Sequence, residues 1–296
     1  MSENEMLPGQ ARNFDISQED IQIVRDRFLL DYKENEALYD HVDVQRVKDD
    51  DWSIKRFLFY TKMSTKEAGD LLIKSMRWRK EKGVNQMKAS DFPQEFYSIA
   101  ELHPYVPDKE GIPVMYIRVK LHRALSEWTE VSQNFIIYNI EKIDSEANKA
   151  GVGWSIFFDC NGGTLFNVDI TLLSFLVETI RANYPSGIIY ANVYELPWIL
   201  RTIYYLARSW IPERYQRLLR LVDKNSVFEV IGKENLPDYL GGTCAVPYDP
   251  IVENAPTLKE FVDKSTKLNE SDLKRFLGYY SKYIKSKDVE NNNQLS

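Results

Sequence analysis

The order of segments along the chain predicts an α/β fold: an N-terminal all-helical module followed by a largely parallel sheet with flanking helices. Three observations lead to it. Capping signals and apolar positions at helical spacing fill residues 15–95 with no strand signal between them. Beyond residue 110, apolar runs of strand length alternate with helical stretches of ten residues or more, a pattern that calls for crossover connections between parallel strands. The composition, 44% hydrophobic and 28% charged over 296 residues, is that of a chain able to bury a sizeable core.

In the first module, Ser17 opens a helix and Asp20 completes a capping box, with Ile21, Val24, Phe28 and Tyr32 following on one face. A second helical stretch runs from about Val42 to Lys62. Ser64 and Glu67 then cap a third helix, which carries Leu71, Leu72, Ser75 and Trp78 and stops at Gly83. Residues 1–14 and 291–296 are polar and are expected to be mobile.

The pattern changes at the turn Asp108-Lys109-Glu110-Gly111, which leads into an apolar strand over Ile112–Val119. A helix is predicted from Ser126 to about Lys149, and a second strand over Trp154–Cys160, broken by Asn161-Gly162-Gly163. Asp169 caps a helix that runs to Tyr184 and ends at Pro185, which cannot continue the ladder. Ile188–Tyr194 is a third strand, Trp198–Trp210 a helix and Leu218–Val222 a fourth strand. A proline-containing linker around Pro247–Pro256 precedes weaker helical material at Leu258–Ile284. The expected organisation is a helical module at 15–95, a pocket domain at 96–246, and a linker with C-terminal helices and tail at 247–296.

A net charge of −6 argues against a general nucleic-acid binder, which needs a basic footprint. Two cysteines, Cys160 and Cys244, cannot staple a chain of this length, so a reducing cytoplasm is the expected compartment. No apolar run approaches the roughly 20 residues that a spanning helix requires, which leaves peripheral membrane contact. The three histidines, His41, His103 and His122, have no ligating neighbours at metal spacing, and each is expected at the surface or as a cap. There is no Gly-x-Ser-x-Gly elbow, and Gly151-Val152-Gly153 precedes a strand instead of following one. Asp159-Cys160-Asn161-Gly162-Gly163 has Ile170 where a calcium loop needs its glutamate, so it reads as a turn. No catalytic residue, cofactor or metal is expected, and the chain does not read as an enzyme.

Laid in order, these segments resemble the CRAL-TRIO lipid-binding family. The resemblance is carried by Asp50-Asp51-Trp52, Arg56-Phe57-Leu58 and Trp78-Arg79-Lys80 in the helical module, then by Asp108-Lys109-Glu110-Gly111-Ile112-Pro113-Val114. Phe157-Phe158-Asp159, Asn183-Tyr184-Pro185, Leu196-Pro197-Trp198 and Glu234-Asn235-Leu236-Pro237 with Gly241-Gly242 follow in the family's order, over roughly residues 45–245. Within the family the chain looks most like the CRAL-TRIO domain of motile-sperm-domain-containing proteins.

The resemblance implies an apolar pocket, floored by the sheet and closed by a gate helix at Trp198–Trp210. Met115, Ile117, Trp154, Ile156 and Phe158 would line it from the strands, and Ile199, Ile203 and Leu206 from the gate. At helical spacing Ile199, Ile203, Leu206 and Trp210 form one apolar stripe, with Arg201 and Arg208 expected on the opposite face. Residues 196–220 hold five arginines against one glutamate, a local charge of +4 in an acidic chain. Trp198, Arg201, Tyr204, Tyr205, Arg208 and Trp210 are therefore the expected contacts to an anionic membrane surface. The positions at which relatives hold a phosphoinositol headgroup fall on Ser186 and Leu218, and those for choline on Met115, Trp154 and Ile156. The implied ligand is a hydrophobic lipid, exchanged with membranes and lacking a phosphoinositide signature. The alternative is a protein-interaction or membrane-tethering module of the same fold that carries no cargo, through a partner the sequence does not name.

Overall fold

The computed structural model describes residues 15–284. The ends expected to be mobile, 1–14 and 291–296, lie outside the described residues. Four helices form the first module: α1 (Gln18–Glu34), α2 (His41–Asp49), α3 (Trp52–Tyr60) and α4 (Thr65–Lys82). The Ser17 hydroxyl accepts the Asp20 N–H at 3.0 Å and donates to the Asp20 carboxylate at 2.8 Å, fixing the start of α1. The stretch read as one helix from Val42 to Lys62 is two. Asp50 leaves the helical region (φ −117°, ψ 110°), and its carboxylate takes the Trp52 N–H at 3.0 Å, a local bond that competes with the helix ladder. Ile21, Val24, Phe28, Val47, Phe57 and Leu72 fill the small core between these helices.

After α5 (Gln94–Ile99) comes the sheet: β1 (Leu102–Tyr105), β2 (Val114–Arg118), β3 (Trp154–Asp159), β4 (Ile188–Tyr194) and β5 (Leu219–Val222). The spatial order follows the chain order, with β1 antiparallel to β2 and every other pair parallel. The α/β class with a leading helical module is thus the observed one. β1 is not apparent from the sequence, because Pro104 interrupts a four-residue segment. A proline is tolerated there because an edge strand leaves one side of its backbone unpaired.

Side chains alternate across the sheet and make two cores. On one face Met115, Trp154, Ile156 and Ala191 pack with α6 (Thr129–Ala150) and with Leu176 of α7 (Ile170–Asn183). On the other, Val114, Tyr116, Phe157 and Tyr194 pack with Val227 of α10 (Val227–Val230) and with Ile231, Leu236 and Leu240. The Glu234–Pro237 segment therefore closes the second face, and Gly242 lies against it. A Cβ at Gly242 would stand 2.0 Å from the Leu236 carbonyl oxygen, so only glycine fits. Between β4 and β5 lie α8 (Arg201–Ser209) and α9 (Glu213–Gln216). The chain returns through α11 (Leu258–Lys264) and α12 (Glu270–Tyr280), whose Phe276 stacks on Phe96 at 5.7 Å and meets Trp128 at 4.8 Å. The C-terminal helices thus join the first core.

Candidate functional site

Between the first sheet face and α7 and α8 lies a cavity of about 360 Å³. That is within the roughly 300–1,000 Å³ of small-molecule sites. Its wall is overwhelmingly apolar. Ile117, Ile156, Phe158, Val193 and Leu219 face it from the strands, and Leu172, Leu176 and Ile180 from α7. Ile203, Tyr204 and Ala207 close it from α8, while Phe135, Phe276 and Tyr280 complete one side.

The helical module is held to this container by two buried ionic joints. Arg56 makes a two-pronged bond to Asp144 on α6 (2.8 and 2.9 Å) and donates Nε–H to the Pro185 carbonyl at 2.9 Å. Trp154 Nε1–H donates to the same carboxylate at 3.0 Å. A Cβ on Gly187 would come within 2.9 Å of Arg56, Asp144 and Trp154, so the chain can pass there only as glycine. Arg79 reaches Glu141 at 2.7 and 2.9 Å and Asp43 at 2.9 Å, and the Tyr184 hydroxyl donates to Glu141 at 2.9 Å. Burial opposes the Glu141 charge, but the Arg79 guanidinium more than offsets it and holds the carboxyl down to about 2.

Of the residues singled out from the sequence, Ile117, Ile156, Phe158, Ile203, Tyr204 and Arg208 stand in the cavity wall. Met115 and Trp154 share the same sheet face but lie outside that wall, fully buried in the core toward α6. Ile199 and Leu206 also lie outside it, and Leu206 is exposed. The predicted stripe on the gate segment is rotated, and Arg208 points inward, donating Nε–H to Gln216 at 2.9 Å. The physical reason is that Leu200, Ile203, Ala207 and Ile211 form a second apolar row at the same helical spacing, and this row lines the cavity; periodicity alone does not choose between the two. Trp198 (79% exposed) and Tyr205 (61%) face solvent with Arg201, whereas Trp210 is half-buried outside the wall. No residue of α8 is buried.

The two ends of the cavity are polar. Ser186 and Leu218, where the resemblance placed the headgroup positions, both reach the wall at the end where β4 begins, as do Arg181 and Arg208. At the opposite end, beyond the C-terminus of β2, stand Glu101, His122, Arg123 and Asp169. The expectation that every histidine is a surface or capping residue holds for exposed His41 alone. His103 is buried behind the sheet, stacked on Tyr116 at 5.6 Å, and burial with Arg118 nearby depresses it to about 3. His122 lies between two carboxylates from distant segments, a placement with no local sequence signal. Also missed were Leu165 (55% exposed) and Phe166 (85%), in the 3-10 turn that follows Gly163, whose Cβ would meet the Leu200 side chain at 3.1 Å.

Residues 99–242 match the CRAL/TRIO domain. The phosphatidylinositol transfer protein CSR1 of Eremothecium gossypii is 26% identical over 190 residues, covering 62% of this chain and 44% of that protein. A CRAL-TRIO domain-containing protein of Schizosaccharomyces pombe is 22% identical over 212 residues, 65% of this chain and 48% of its own length. The Sec14 cytosolic factor of the same yeast is 25% identical over 219 residues, 67% of this chain and 76% of that one. The chain thus spans less than half the length of the first two relatives. The crystal structure of Sfh5 superposes with a TM-score of 0.57 at 14% identity, covering 90% of this chain and 98% of that one, a likeness of fold. No helix among the described residues is long and apolar enough to cross a membrane. Sequence match and architecture agree in likening residues 99–242 to a CRAL/TRIO domain.

Proposed function

We propose that this chain is a cytoplasmic lipid carrier without enzymatic activity, which holds a hydrophobic lipid in the cavity and exchanges it with membranes by opening α8. One observation supports this above the rest: an apolar interior space is bounded on one side by a helix with no buried residue. The name of one relative, a phosphatidylinositol transfer protein, agrees with lipid transfer as the activity, and that of another, a cytosolic factor, agrees with the compartment. The motif order that suggests kinship with the motile-sperm-domain-containing proteins belongs to the same proposal, as does the division of the chain near residues 95 and 246.

The energetics favour a gate that opens against the bilayer. A two-chain lipid hides about 30 methylenes, worth roughly 24 kcal/mol against water. Membrane and cavity hide them almost equally well, so the equilibrium is near balance and the barrier is what the protein must lower. Trp198, Tyr205 and Leu206, with Leu165 and Phe166 of the turn after Gly163, are exposed apolar side chains, and Arg201 is exposed to meet anionic headgroups. Tyr204 and Arg208, on the inward face, would pass to the membrane only on opening. Ser186 and Leu218 offer no charge to a buried phosphate, which favours a largely apolar guest. Any phosphate would sit at the Arg181–Arg208 end.

Native mass spectrometry of protein purified from cells, with extraction of what it carries, tests the proposal. The expected result is one lipid per chain. Protein that carries none, and takes none up from vesicles, is instead the tethering module without cargo.

A further inference from the structure

The polar end beyond β2 is built from four segments. Glu101 precedes β1, His122 and Arg123 follow β2, Asp169 caps α7, and Tyr280 ends α12, all reaching the cavity. His122 Nδ1 lies 2.7 Å from Glu101 Oε1. On the other side of the ring, Nε2 is buried and makes no hydrogen bond among the described residues, and Asp169 Oδ2 stands 3.5 Å away. The other oxygen of Asp169 accepts the Leu172 N–H at 2.8 Å, which fixes the carboxylate. Tyr280 donates to Glu101 at 3.3 Å, and Arg123 donates to the His122 carbonyl at 2.7 Å. Burial disfavours the imidazolium, but Glu101 and then Asp169 outweigh it and raise the His122 pKa.

Resting on the carrier reading above, we propose that this end is a subsite for the hydroxyl group of an uncharged lipid, such as a long-chain alcohol. A hydroxyl inserted beside the His122 ring accepts from Nε2–H, which makes no hydrogen bond among the described residues, and donates to Asp169 Oδ2, so that it bridges the 3.5 Å between them. The charges select against the alternatives. With the ring protonated, two carboxylates face one imidazolium and one guanidinium, and the end is balanced. A phosphate adds negative charge beside Glu101 and Asp169, and an amine adds positive charge beside His122 and Arg123. An ether accepts one bond but cannot return one to Asp169, and leaving that carboxylate unmatched costs affinity.

The test uses the full chain and three probes of equal chain length delivered from cyclodextrin: octadecanol, its methyl ether and octadecyl phosphate. Isothermal titration should show the alcohol at least tenfold tighter than the ether, and His122→Phe should equalise the two while keeping the ether affinity. In the unmodified protein, the ¹⁵N resonance of His122 Nε2 should move with saturating alcohol and stay in place with the phosphate, a readout independent of how the variant folds. Equal affinity for alcohol and ether, or a phosphate that moves the resonance as far, overturns the subsite and leaves the carrier reading standing. Failure of all three probes to bind overturns both.

Discussion

The two boundaries of the cavity are opposite in character. Where the helical module meets α6 and the start of β4, Arg56, Arg79 and Asp144 are all but excluded from water and are bonded on every side. At α8, by contrast, not one of nine residues is buried, and aromatic side chains stand in solvent. On the carrier reading proposed above, the buried joints serve as a frame and α8, with no buried residue, as the lid. Local opening is cheapest where few apolar groups are covered.

The largest expected effect comes from cutting the frame. Arg56→Ala leaves the buried Asp144 carboxylate without its guanidinium partner, and should cost about 3–5 kcal/mol in urea unfolding. Replacing both partners, Arg56→Met with Asp144→Leu, should recover much of that loss. A cost for Arg56→Ala no greater than for Tyr205→Ala on α8 would erase the distinction between the two regions.

Next comes acid. Glu141 is held at about 2 in the fold, below its ordinary 4.5, because Arg79 outweighs the burial that would raise it. A depressed folded pKa stabilises above the unfolded value, and the stabilisation is lost as pH falls through the folded one. Between pH 5 and 2 the chain should therefore lose on the order of 2–3 kcal/mol that Glu141→Gln does not lose, read as unfolding free energy against pH.

The exposed apolar side chains should behave in the reverse way. Trp198→Ala with Phe166→Ala should change stability by under about 0.5 kcal/mol, since both side chains are exposed. The same pair should reduce flotation with anionic vesicles severalfold, and undiminished flotation would move the docking face elsewhere.

The smallest effect is at the histidine. With the folded pKa of His122 raised above its ordinary 6.5 by Glu101 and Asp169, its contribution is full below the ordinary value and is lost as pH rises through the raised one. Arg123 and Tyr280 also face this end, and burial raises the Tyr280 hydroxyl, which stays neutral over that range. The preference for alcohol over ether should therefore fade on the alkaline side. A preference that instead grew with pH would contradict a donating Nε2–H.

Much of the frame is legible in the sequence because its signals are local. Ser17, Ser64 and Asp169 announce their helices through caps, Gly83 and Pro185 end them, and Ile188–Tyr194 reads as a strand from its run of apolar residues. What is not legible depends on partners far along the chain. Trp52, Arg56 and Arg79 stand out as family marks, yet their bonds to Asn148, Asp144 and Glu141 exist only once α6 is in place. His122 looks isolated until the fold brings Glu101 and Asp169 to it. The inward face of α8 is misread for a different reason: Leu200, Ile203, Ala207 and Ile211 offer a second apolar row at the same spacing, and periodicity alone does not choose between rows. Met115 and Trp154 show the remaining limit, since alternation assigns the correct sheet face but not how far along the strand the cavity extends.

Hydrogen exchange followed by mass spectrometry on the full chain, with and without anionic vesicles, tests the frame and lid most directly. Amides of residues 203–209 should exchange at least about 100-fold faster than those in the middle of α4 and α6, and faster still on vesicles, while the joints keep their protection. If α8 instead exchanges only as slowly as the joints, in one global opening that vesicles leave unchanged, the helix is part of the frame and no lid exists.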